Sequence, residues 1–156
     1  MDKKENLSLI SPAFRHMGQI PSRYTCDGEN ISPSLVVSGV SSDAKSLILI
    51  MEDSDVPKNI REDGTWDHWL KFNIPVSSRE IKEGEEPEGI SGLTTSNKLK
   101  YGGPCPPDRE HRYFFKLYSL DVMLDLQEGV SKKEIEEAMM GHIIQETLLI
   151  GLYNRQ

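Results

Sequence analysis

The sequence predicts a mainly β protein built as one domain, on three observations. Turn-forming pairs recur at short intervals, from Ser11-Pro12, Asp27-Gly28, Ser32-Pro33 and Ser38-Gly39 to Asp63-Gly64, Glu83-Gly84, Gly102-Gly103-Pro104 and Pro106-Pro107-Asp108. Short runs rich in branched and aromatic residues lie between them. Only one segment carries a clear helix start signal. Residues 46–51, Ser-Leu-Ile-Leu-Ile-Met, form a continuous apolar run, as expected of a strand covered on both faces. Residues 69–74 and 112–118 are aromatic-rich and alternate in part, and together with 46–51 they are read as central strands. Residues 77–100 are poor in apolar side chains and read as a long surface excursion. Ser131 and Glu134 fit a capping box ahead of Ile135, Ala138, Met139 and Ile143, which predicts a helix over 132–145. Residues 147–153 are compatible with helix or strand, and a final strand is favoured.

The chain has 156 residues, 37% apolar and 28% charged, which suits a single domain folding by burial of one core. A net charge of -7 with scattered Lys and Arg offers no basic stripe, so nucleic acid is not an expected partner. No apolar stretch is long enough for a membrane span, and residues 1–6, Met-Asp-Lys-Lys-Glu-Asn, do not begin a secretory leader; a cytoplasmic protein, not integral to the membrane, is expected. Cys26 and Cys105 lie far apart without metal-ligand spacing, so free thiols are the default expectation in a reducing compartment, with a Cys26–Cys105 disulfide as the alternative. No nucleotide-binding glycine loop is present.

Four segments place polar side chains at strand ends or tight turns. Asp53 and Asp55 follow the buried run at 46–51, and on an extended chain they would share one face; the alternative is that they cap a turn. Trp66-Asp67-His68-Trp69 heads the second central strand, where His68 is either a site residue or a satisfied core histidine. Tyr101-Gly102-Gly103-Pro104-Cys105-Pro106-Pro107 is a fixed loop, either one that lets a ligand approach the backbone or plain strand punctuation. His111 and Tyr113 would share a face at the start of the third strand, with Arg112 opposed. Two imidazoles and a phenol supply donors for a phosphate or carboxylate, and neighbouring carboxylates would hold the imidazoles in place.

The run from Phe14 to Pro33, the Asp53-Ser54-Asp55-Val56-Pro57 segment, the Trp66-x-His68 strand start, Gly103-Pro104-Cys105-Pro106-Pro107 and His111-Arg112-Tyr113, in that order, resemble the phosphatidylethanolamine-binding protein family. The similarity is to its prokaryotic YbhB/YbcL, or Raf kinase inhibitor-like, branch. It covers nearly the whole chain. It implies a large antiparallel β-sandwich with one or two peripheral helices and an anion pocket at one end. Carried over position by position, that pocket falls on Asp53, Asp55, Trp66, His68, Cys105, Pro106, His111 and Tyr113. The resemblance also implies a cis Val56–Pro57 bond, a homodimer, no cofactor, and a small anionic or phosphorylated ligand, with a kinase or protease as a protein partner. Three departures stand out: Ser54 in place of the customary Pro, Val37 where Trp is common, and residues 96–100 in place of an Asn-x-x-Gly-x-x-Gly approach to the loop.

The leading expectation is therefore a binding protein rather than an enzyme, with no catalytic residues and no metal. The alternative is a metal-assisted hydrolase using His68, His111 and Asp53 as ligands. Cys105 is read as structural, its backbone mattering more than its thiol.

Overall fold

A computed structural model describes residues 6–155; most of the N-terminal stretch read above for leader character, 1–5, lies outside the described residues. The elements in chain order are β1 (Ser8–Ile10), β2 (Gly18–Gln19), a 3-10 turn (Ser22–Tyr24), β3 (Leu35–Ser38), β4 (Ser46–Asp53), β5 (Trp66–Ile74), β6 (Glu80–Ile81), β7 (Ile90–Ser91), β8 (His111–Leu120), α1 (Lys132–Met139) and β9 (Ile143–Tyr153). A six-stranded sheet runs β2-β9-β8-β4-β5-β7 and a three-stranded sheet runs β1-β3-β6. All pairings are antiparallel except the short β2–β9 contact, so the β-sandwich expectation holds.

All eight residues of β4 are buried, because both faces of the large sheet are covered. Leu47, Leu49 and Met51 point toward the small sheet and pack with Leu9, Leu35, Val37 and Ile81. Ile48 and Ile50 point the other way and pack with Leu70, Phe72, Leu120 and the helix residues Ile135 and Met139. The three runs read as central strands are neighbours in the sheet, with β4 between β5 and β8.

Two elements differ from expectation. Ser131 caps α1 as the sequence suggests, its Oγ accepting from the Glu134 N–H at 3.2 Å, but the helix ends at Met139 rather than 145. Gly141 follows with φ +81°, a left-handed conformation that stops a helix, and β9 starts at Ile143. The favoured final strand is thus present and begins earlier. The excursion at 77–100 is more than surface: β6 completes the small sheet and β7 the large one, and Ile81 is buried.

The expectation of free thiols is overturned, since Cys26 and Cys105 form a disulfide across a sequence separation of 79. The tertiary fold brings the two loops to a Cα–Cα distance of 5.5 Å, which spacing in the chain could not reveal. The cis expectation at Val56–Pro57 is overturned too, because every described peptide bond is trans. Pro57 instead opens a tight turn in which its carbonyl accepts from the N–H groups of Ile60 and Arg61, a place where a trans proline fits without loss.

Cross-linking a chain mainly restricts its unfolded state. Urea denaturation of the Cys26→Ser/Cys105→Ser variant is expected to show roughly 2–4 kcal/mol less stability than wild type, with the native fold kept.

Candidate functional site

The sandwich-facing positions of the central strands converge at one end of the large sheet. Asp53, the last residue of β4, lies opposite both Trp66 on β5 and Tyr113 on β8. A strict strand alternation would not turn Trp66, His68 and Trp69 toward the same side. A β-bulge does so: Met51 pairs with Trp69 and Glu52 with Asp67, leaving His68 as the extra residue. A bulge shifts the alternation by one and re-aims the side chains beyond it. Asp67 is thereby sent to the helix side, where Lys132 Nζ lies 2.7 Å from its Oδ1.

Asp53, Trp66, His68 and Cys105 line a cavity of about 370 Å³, together with Cys26, Asn30, Ser96, Gly102 and Gly103, and with Val56, Ile60 and Pro107 as apolar wall. The volume suits a small molecule. His111 and Tyr113, fully buried, form a layer behind it: the Tyr113 ring meets His68 edge-on at 5.4 Å and lies over His111 at 6.5 Å. Pro106 is buried in the loop between the lining residues Cys105 and Pro107, and is not itself among them.

Asp55 does not join Asp53. The strand ends at Asp53, whose Oδ1 accepts from the Asp55 N–H at 2.8 Å, and this turn separates the two carboxylates. Asp55 instead accepts from the Arg112 guanidinium at 2.8 and 3.0 Å and from its N–H at 2.8 Å. Those hydrogen bonds hold the Asp55 carboxyl below its ordinary value. Since Arg112 opposes His111 on β8, the two aspartates serve opposite faces.

His111 is held from both sides, with Nδ1 2.6 Å from Asp53 Oδ2 and Nε2 2.6 Å from Asp108 Oδ1. Burial pushes the His68 pKa down, only partly opposed by the Gly102 carbonyl and Asp53, so its neutral form is favoured. Its Nδ1 donates to the Gly102 carbonyl at 2.8 Å, which leaves Nε2 as the free edge of the ring among the described residues. Asn30 presents a complementary donor: its Oδ1 accepts from Gly103 N–H at 2.9 Å, leaving the Nδ2 hydrogens for other partners. Burial, reinforced by the Asp53 charge, raises the Tyr113 pKa, and its hydroxyl makes no hydrogen bond among the described residues although Asp53 and the Cys105 backbone are its polar neighbours.

The donor set for a hydrolytic metal is not assembled. Both His111 nitrogens are committed to carboxylates, and no group of three or more His, Cys, Asp or Glu among the described residues is disposed to hold an ion.

The profile of the phosphatidylethanolamine-binding protein family matches residues 10–154. The chain belongs to that family. Relatives include a UPF0098 protein of Methanothermobacter thermautotrophicus, 50% identical over 155 residues, and one of Chlamydia pneumoniae, 48% identical over 149; each match covers 96% of this chain and 99% of the relative. A crystal structure of a phosphatidylethanolamine-binding protein homolog from Chlamydia trachomatis superposes with a TM-score of 0.95 at 45% identity, covering 97% of this chain and 99% of that one. Escherichia coli YbcL shares the fold at TM-score 0.85 and 24% identity, over 99% and 100% of the two chains.

In this phosphatidylethanolamine-binding protein family member, Asn30, Ser96, Asp108 and Cys26 were not among the site residues that the sequence pointed to. Asp108 stands three residues before His111, a spacing that becomes meaningful only once the loop folds back. Asn30 and Cys26 come from a loop distant in the chain and are recognisable only through the fold. That loop is clamped to the 102–107 loop by Cys26 N–H on the Pro104 carbonyl and Tyr101 hydroxyl on the Tyr24 carbonyl. At their closest approach stands Gly103, where a Cβ would overlap Asn30 Oδ1 and the backbone of Tyr24 and Thr25. Gly103→Ala is expected to cost roughly 1–3 kcal/mol in urea denaturation, since backbone atoms cannot move aside as a flexible side chain can.

Proposed function

We propose that the cavity binds a small anion, a phosphate-like group or the phosphorylated head of a small molecule, and that the protein is a binding module rather than an enzyme. The observation that carries this reading is the His68 ring in the cavity wall, pinned through Nδ1, with Nε2 unclaimed among the described residues. A neutral imidazole with its second nitrogen free becomes a charged donor by gaining one proton, and an anion in contact with it stabilises that form. Asn30 and Ser96 add neutral donors, and Trp66, Val56 and Ile60 provide apolar wall for an organic body attached to the anion. Asp53 is compatible with an anion because its charge is met by His111 and the Asp55 N–H.

Among the described residues no helix is long and apolar enough to cross a membrane. We keep the cytoplasmic placement as part of the proposal. By resemblance it also includes a homodimer and a protein partner such as a kinase or protease. The outer face of β9, with Ile144 and Leu148 at 36% and 41% exposure, supplies apolar surface for such contacts.

Calorimetric titration of phosphate and O-phosphoethanolamine tests the central claim. Wild type is expected to bind and His68→Phe, which keeps the ring shape without its nitrogens, to bind about tenfold more weakly or worse, the scale of a charge-assisted hydrogen bond. Undiminished binding in His68→Phe would overturn it.

The proton dependence has a definite sign. Because the free-protein pKa of His68 lies below 6.5 and a bound anion raises it, affinity increases as pH falls from the bound-state pKa towards the depressed free-state one, with net proton uptake. Sulfate, which does not titrate in this range, is the appropriate probe, with calorimetry in two buffers of different ionisation heat as the readout. In the absence of anion the same depressed pKa makes neutral His68 stabilising above pH 6.5, a contribution lost as pH falls through the folded-state value.

A further inference from the structure

The disulfide is part of the cavity wall rather than a staple hidden in the core. Cys26 and Cys105 both line the space shared by His68, Asn30 and Ser96. Cys105 is exposed and Cys26 only half-buried. The two loops that the disulfide joins are held independently by Cys26 N–H on Pro104, Gly103 N–H on Asn30 and the Tyr101 hydroxyl on Tyr24. Opening the sulfur bridge therefore leaves the cavity walls tethered. A disulfide that is accessible, and whose cleavage does not require its loops to part, meets the conditions for exchange in the folded state.

From this arrangement we infer that the Cys26–Cys105 disulfide is a thiol-exchange site, entered through the ligand cavity and selective for small thiols that carry a carboxylate or phosphate. The cavity, about 370 Å³, admits a low-molecular-weight thiol and not a folded protein domain. The selectivity rests on the anion reading above: the acidic group of the thiol occupies the donors around His68 while its sulfur meets the wall.

Cys105, the more exposed of the two residues, supplies the sulfur that is attacked. The incoming thiolate forms a bond to Cys105 Sγ, the Cys26–Cys105 bond breaks, and its electron pair leaves with Cys26 Sγ, which takes up a proton. A second molecule of the same thiol, as thiolate, then attacks the first one's sulfur and releases Cys105 as the thiol. Two small thiols are oxidised to their disulfide, and the protein gains two electrons and two protons.

The test measures the reduction rate of the native wild-type protein by 3-mercaptopropionate, 2-mercaptoethanol and cysteamine, compared at equal thiolate concentration and each normalised to the urea-unfolded chain. The anionic thiol is expected to be about tenfold faster than the other two through its binding in the cavity. Its rate is expected to rise with thiol concentration while far-ultraviolet circular dichroism is unchanged, and saturating sulfate is expected to slow it. The Cys26→Ser variant, which keeps Cys105, should form the mixed disulfide with the oxidised form of 3-mercaptopropionate faster than Cys105→Ser, which keeps Cys26; the reverse order overturns the assignment of the attacked sulfur. Reduction that proceeds only as fast as the protein unfolds, or equal normalised rates for the three thiols, overturns the inference. Sulfate titration of the oxidised protein separates the two claims. If sulfate binds and the anionic thiol has no advantage, the exchange site falls and the anion reading stands; if sulfate does not bind either, both fall.

Discussion

The burial of β4 on both faces is the constraint from which the rest of the molecule follows. A strand with no solvent-facing side needs a layer above and a layer below it. The small sheet supplies one, and α1 with the segment before it supplies the other. Leu47, Leu49 and Met51 sort to the first layer, Ile48 and Ile50 to the second, and the alternation continues past the apolar run into its two acids. Glu52 falls on the helix side and Asp53 on the sandwich side. Position in the strand has thus assigned the two carboxylates to different tasks.

On the helix side, burial alone would push the Glu52 carboxyl up, but the ammonium groups of Lys116 and Lys132 outweigh it and hold the acid ionised. Lys132 also reaches Asp67, so the first turn of α1 is bound to both β4 and β5. Charges removed from water are tolerable there because each has a partner of opposite sign. On the sandwich side, Asp53 finds His111, and His111 in turn finds Asp108, a chain of short hydrogen bonds that fixes the back of the cavity. The bulge at His68 joins the two sides. One inserted residue sends Asp67 to Lys132 and leaves Trp66 and His68 on the cavity, so the salt-bridge network and the cavity wall are set by the same local irregularity.

The cavity that results has no fixed cationic side chain among its lining residues. Its titratable ring is an imidazole kept neutral by burial, and its other polar lining groups are the Asp53 carboxylate, the Trp66 indole, the Asn30 amide, the Ser96 hydroxyl and backbone. The same wall carries the Cys26–Cys105 disulfide beside the His68 ring.

Local chemistry was legible in the chain. The continuous apolar run at 46–51 announced a strand covered on both faces, the alternation after His111 put it and Tyr113 inward with Arg112 outward, and Ser131 marked the start of α1, because these properties depend on neighbours one to four residues apart. The ordered motifs announced the family for the same reason: they are written in consecutive residues. What needed the tertiary structure were relations between distant segments. Whether Cys26 and Cys105 pair depends on two loops separated by 79 residues in the chain. Whether Asp53 and Asp55 share a face depends on where β4 stops pairing, and whether Trp66 and His68 share one depends on a bulge defined only against β4. Alternation in a sequence assumes an uninterrupted ladder, and the ladder is interrupted at this end of the sheet, where the cavity is built.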